Sequence, residues 1–88
     1  MPLQYTFTER FQRNYKKLSA EEQKQIKKTI ELLTKNPGHP SLRTKHIEGT
    51  DKLFESSGNM DIRVVWHYEK GMMITLSDVG HHDILKQY

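Results

Sequence analysis

Eight residues of this 88-residue chain have side chains suited to moving protons and holding negative charge: Arg43, Lys45, His46, Asp61, Arg63, His81, His82 and Tyr88. Imidazole titrates near neutrality, so it can both take and return a proton at ordinary pH. A carboxylate can orient an imidazole or act as a base, and a guanidinium presents a planar fork to phosphate oxygens. Together they suit acid–base cleavage of a ribose phosphodiester. One group removes the 2′-OH proton, another protonates the leaving 5′-oxygen, and a cation stabilises the charge between them. The stretch Asp78-Val-Gly-His-His-Asp-Ile-Leu85 sets the sharpest question, because adjacent residues on an extended segment point apart. Of its two histidines, His82 is the better proton-transfer candidate, with His81 as a basic neighbour. A metal site is not expected: the five histidines lack ligand spacing and cysteine is absent.

These residues need a scaffold, and the length allows one small domain spanning 1–88. Leu3, Tyr5 and Phe7 alternate with polar neighbours and predict a short half-buried strand. Thr8 is placed to cap a helix with the stripe Phe11, Tyr15, Leu18. Ser19-Ala-Glu-Glu22 is a capping box that opens a second helix, with stripe Ile26, Ile30, Leu33. Asn36-Pro-Gly-His-Pro40 stops it. Residues 41–52 read as a connecting loop, followed by strands at Leu53–Ser57, Asp61–Tyr68 and Met72–Val79 with tight turns between them. In the middle strand Ile62, Val64, Trp66 and Tyr68 form the face expected to meet the helices. Asp61, Arg63, Val65 and His67 then point away from it. The expected architecture is α+β: a helical hairpin on one face of a twisted antiparallel sheet, in the order βααβββ, with a short polar tail. The other sheet face is left open, and the candidate residues gather there.

Charge is distributed unevenly. Residues 10–45 hold ten Lys/Arg against three acids, and residues 46–88 hold four against seven, although the whole chain is only +3. The first half is thus a polycation laid mainly on helices, a surface that attracts phosphate backbones. No apolar run is long enough to span a membrane, and the start is not a secretory signal. The absence of cysteine fits a reducing cytoplasm.

Three segments, "KHIEGTDKLFE" (45–55), "DIRVVWHY" (61–68) and "LSDVGHHDIL" (76–85), resemble the RelE/ParE superfamily of bacterial toxins. The resemblance rests on Gly49-Thr-Asp-Lys-Leu53, Arg63-Val-Val-Trp66 and Gly80 in order, and it extends over the whole chain. It leans toward the ribosome-dependent mRNA endonucleases of the RelE and YafQ type. On that basis Arg63 corresponds to a phosphate-binding arginine, and His82 to a catalytic arginine or histidine. Asp61 and His46 correspond to an acid and a loop histidine of the site, and Tyr88 to a catalytic tyrosine. Arg43, Lys45 and His81 are then substrate-binding groups. The match departs from the pattern at Ser57, where a relative has a histidine, at Lys86, where a relative has an aromatic, and in a lysine-rich loop met only by Lys45 and Arg43. The resemblance implies a RelE-like fold, a metal-independent endoribonuclease without cofactors, and a cognate antitoxin that blocks the groove. The ribosome and mRNA are the other implied partners, with DNA reached, if at all, through the antitoxin complex. Two alternatives stand beside it: a ParE-like gyrase poison, and a module of the same fold whose nuclease site has decayed and which only binds RNA or a partner.

Overall fold

The computed structural model describes residues 3–59 and 61–88. The first strand, β1 (Gln4–Phe7), leads into α1 (Glu9–Lys16) and α2 (Ala20–Lys35). Both predicted caps form. Thr8 accepts from the Phe11 amide, and Ser19 and Glu22 make the reciprocal capping box. A 3-10 turn (Pro40–Leu42) follows, then β2 (Lys45–His46), β3 (Phe54–Ser57), β4 (Ile62–Glu69), β5 (Met73–His81) and a C-terminal 3-10 helix (His82–Gln87).

The five strands form one sheet in the order β1-β5-β4-β3-β2. The expected fully antiparallel sheet is corrected at one edge, because β1 runs parallel to β5. The chain leaves β1 through the helical hairpin and returns from the opposite edge, so its first strand meets its last in the same direction. The sheet is therefore mixed, and the fold class remains α+β. The expected loop 41–52 contains a strand the sequence does not announce: Lys45 and His46 pair with Glu55 and Phe54. Two residues are too few to show a period, and only the sheet edge defines them.

The core lies between the helices and one sheet face. Phe11, Ile26, Ile30 and Leu33 pack there against Ile62, Val64, Trp66, Ile74, Leu76 and Val79, with Leu42 closing one end. Trp66 hydrogen-bonds the buried Ser56 hydroxyl through Nε1 at 2.9 Å, so the indole is buried without an unsatisfied donor. Two sequence expectations fail at the margins of this core. Tyr68 belongs to the inward parity but lies half exposed, because it stands beyond the end of the helical cover. Tyr5 and Phe7 on β1 are also exposed, since β1 is an edge strand.

The second sheet face is not wholly open. Val65, expected to point to solvent, is fully buried, and Ile84 of the C-terminal 3-10 helix sits directly over Gly80. A Cβ on Gly80 would lie 2.6 Å from Ile84 Cγ2, so only glycine lets the tail fold this closely under the sheet. The polar tail read from sequence is therefore a structural element that covers part of the face carrying Arg63.

Candidate functional site

β4 holds Arg63 on the face away from the helices. Its Nη1 donates to the Asn59 and Ile62 carbonyls, each at 3.1 Å, and its Nε lies 3.9 Å from Glu55 Oε1. The guanidinium is thus oriented by the turn between β3 and β4, and only 16% of its side chain is exposed. Asn59 ties that turn down on both sides. Asn59 Oδ1 accepts from the Asp61 and Ile62 amides at 2.7 and 2.8 Å, and Asn59 Nδ2 donates to Gln25 of α2 at 2.6 Å.

Arg43 stands at the end of the 3-10 turn in a left-handed conformation (φ 49°), anchored by the buried Leu42 beside it. With Arg63, Ser41, Ser57, Gly58 and Asn59 it lines a cleft of about 220 Å³. Lys45 is paired with Glu55, and Glu55 with Val65, so the register puts Lys45 on the Arg63 side of the sheet. Arg43, Lys45 and Arg63 therefore supply cations to one region.

His82 opens the C-terminal 3-10 helix and is exposed. Arg63 faces Gly80 across the β4–β5 ladder, so His82 is two residues beyond the partner of Arg63. His81 behaves differently. It is the last residue of β5, pairs with the core residue Ile62, and hydrogen-bonds Glu22 at the start of α2 at 3.0 Å. Asp61 Oδ2 is 3.8 Å from the same imidazole nitrogen. Asp61, the acid expected at the site, thus stands nearest His81, while Glu55 is the acid beside Arg63.

His46 is not brought to this region. It pairs with Phe54, which pairs with Trp66, and its ring meets Phe54 edge-on at 5.8 Å. The register puts these three on the helix side of the sheet, opposite Arg63. Tyr88 is drawn elsewhere as well. Its hydroxyl donates to the buried Asp78 at 2.7 Å, and Arg10 of α1 approaches the same oxygen at 3.5 Å. Burial, then the bond to Asp78, raises the Tyr88 pKa above the ordinary phenol value, and Arg10 only partly offsets this. The phenol is held protonated as a donor.

Sequence reasoning passed over Asp78, the hydrogen bonds that Asn59 makes and the pairing of His67 with Glu69. Asp78 had one signal, an acid directly before Val79 within the strand pattern Ile74-Thr-Leu-Ser-Asp-Val79. It is 1% exposed and accepts from Asn14, Tyr88 and the Val79 amide. On the outer face of β4, His67 bonds Glu69 at 2.7 Å and lies 3.3 Å from the Ser77 hydroxyl. The bond to His67 lowers the Glu69 pKa, helped by Thr75. Among the described residues no group of three or more His, Asp or Glu is arranged to hold a metal ion, and no helix is long and apolar enough to cross a membrane.

No family model matches the sequence, and no curated protein is similar to it at a significant level. Solved structures are similar in fold. The Escherichia coli DinJ–YafQ toxin–antitoxin complex contains a chain 11% identical, with TM-score 0.77 over 97% of this chain and 98% of that one. The archaeal RelE–RelB complex from Pyrococcus horikoshii gives 15% identity and TM-score 0.75 over 92% and 96%. A metal-bound toxin from Helicobacter pylori gives 23% and 0.78 over 94% and 98%. The two helices on a five-stranded mixed sheet are the fold of the RelE/ParE-type toxins.

Proposed function

We propose that this protein is the toxin of a bacterial toxin–antitoxin pair and that it cuts mRNA on the ribosome. The observation that carries the reading is Arg63, pre-oriented by two backbone carbonyls at the rim of a cleft shared with Arg43. A guanidinium fixed before substrate arrives stabilises developing phosphorane charge without reorganising at the moment of reaction. Lys45 adds a second cation from the same sheet face, and His82 is an exposed imidazole two residues past the Gly80 that pairs with Arg63.

In this reading the RNA's own 2′-OH attacks the adjacent phosphorus, so neither a metal nor an enzyme nucleophile is needed. His82 takes part in proton transfer, and Arg63 holds the phosphate. His81, bonded to Glu22 with Asp61 3.8 Å away, stands at the end of β5 beside them as a basic neighbour. His46 lies on the opposite face and Tyr88 is bonded to Asp78, which supports leaving both out of the proton-transfer set. The partner is an antitoxin, as in the DinJ–YafQ and RelE–RelB complexes, with the ribosome and mRNA as targets in the cytoplasm.

Inducing the protein in bacteria and mapping mRNA 5′ ends tests this. New in-frame ends with arrested translation are expected. Replication arrest with intact message would replace the reading with gyrase poisoning.

A further inference from the structure

The cleft under Arg63 does not end at the sheet. Ser41, Ser57 and Gly58 line both it and a second depression of about 280 Å³, whose other wall is α2, including Gln25 and Lys28. The two depressions adjoin at these three residues, one on the Arg63 side and the other against α2, and are treated together as one groove. Gly58 holds the turn between them close to the helix: a Cβ there would lie 2.6 Å from the buried Ile26 Cδ1, so any side chain would push the turn off α2. The Asn59–Gln25 hydrogen bond fastens the turn in that position.

The groove's chemistry is one-sided. Its described lining residues include three cations, Arg63, Arg43 and Lys28, and no carboxylate. The remaining polar groups are hydroxyls and amides, several of them bonded within the protein, as Asn59 is to Gln25 and Thr29 to the Gln25 carbonyl. Among the described residues no aromatic lines it, so these supply no platform for base stacking. Arg43 is also preset. Its left-handed backbone follows a 3-10 turn whose start is capped by His39, which accepts from the Ser41 amide at 3.1 Å.

We infer that this groove is the track for the RNA strand flanking the cut, gripping its sugar–phosphate backbone. The inference deepens the proposed nuclease reading and rests on it for the direction of the strand. A phosphate held by Arg63 is followed by a neighbour at Arg43, and the strand then passes over Gly58 to Lys28. Because the groove meets backbone only, it contributes affinity without base preference.

The test uses the full chain and a labelled single-stranded RNA of mixed sequence, with binding followed by anisotropy across a salt series. The variants are Arg43→Asn, since asparagine tolerates a left-handed backbone, and Lys28→Gln. Lys70→Gln, at the distant β4–β5 turn, is the control. Arg43→Asn and Lys28→Gln should each weaken binding on the order of tenfold and flatten the log–log salt slope by about 0.7. Lys70→Gln should match the wild type, and homopolymers of different bases should bind alike. Absence of RNA binding by the wild type, or equal losses from all three variants, would overturn the groove. Its failure is separable from that of the nuclease reading. RNA binding through Arg43 and Lys28 without cuts in cellular mRNA would leave the groove standing and remove the nuclease. Cuts in mRNA with unchanged binding by both variants would do the reverse.

Discussion

The Tyr88 hydroxyl lies 2.7 Å from Asp78 Oδ2, joining the last residue of the chain to a carboxyl that is 1% exposed within the sheet. Asn14 occupies the other carboxyl oxygen at 2.6 Å, so α1, β5 and the C-terminal 3-10 helix converge on one acid. Tyr88→Phe removes one donor from that acid. A hydrogen bond of this kind contributes about 1–3 kcal/mol, so the variant should lose stability of that order in denaturant unfolding. Unchanged stability would mean that Asp78 does not depend on the tail.

The same bond fixes a sign for the alkaline limb. The folded Tyr88 pKa is raised above 10.0, so unfolded chains ionise this phenol first as pH climbs. Its stabilising contribution is complete below pH 10.0 and is lost as pH rises through the higher folded value. The wild type should therefore lose more stability than Tyr88→Phe between neutral pH and the alkaline range. Parallel pH profiles would contradict the assignment.

Arg63→Ala separates function from folding. The side chain orients against the β3–β4 turn but is not part of the apolar core, so the unfolding free energy should fall by about 1 kcal/mol or less. Cleavage on ribosomes should fall by ~10²–10³, the usual loss when a donor to developing charge is removed. Full toxicity of the folded variant would dismiss the phosphate role.

Much of the scaffold was legible because it rests on local rules. Thr8 and Ser19 announce both helix starts by capping chemistry, and Ile62, Val64 and Trp66 announce a strand face by parity. What the sequence did not reveal depends on distant partners. The parallel pairing of β1 with β5 spans nearly the whole chain, and β2 exists only because Glu55 and Phe54 run beside it. The same limit applies to the site. Arg63 was placed on the correct face by counting along one strand. His46 was not, because its face is set by pairing with Phe54 rather than by its own neighbours. Tyr88 was expected as a catalytic group, and its bond to Asp78 was not visible because Asp78 lies ten positions away, beyond the reach of a periodicity argument.

Gly58 gives a test of how closely the β3–β4 turn must sit on α2. In Gly58→Ala the new methyl group would meet Ile26 Cδ1 at 2.6 Å, in a core where Ile26 is fully buried. Overpacking of this sort costs about 1–3 kcal/mol. Lifting the turn also shifts Asn59, whose carbonyl orients Arg63, so activity should fall further than stability alone explains. A variant with wild-type stability and activity would show that the turn tolerates displacement.

The two adjacent histidines are separated by their environments. His81 ends β5 and is bonded to Glu22, with Asp61 3.8 Å away, so its imidazole is already engaged by carboxylates. His82 begins the 3-10 helix on the exposed side, two residues past the Gly80 that faces Arg63. Losing a general acid or base usually costs ~10²–10⁴-fold, so His82→Ala should abolish detectable mRNA cleavage, while His81→Ala should cost far less. Attack by the 2′-OH requires a 2′,3′-cyclic phosphate on the upstream fragment, and a 2′-deoxyribose at the cut site should block the reaction. The end groups can be read by mass spectrometry of the fragments. Efficient cutting of the deoxy substrate would remove the 2′-OH mechanism. A greater loss from His81→Ala than from His82→Ala would move the proton-transfer role to the imidazole held between Glu22 and Asp61.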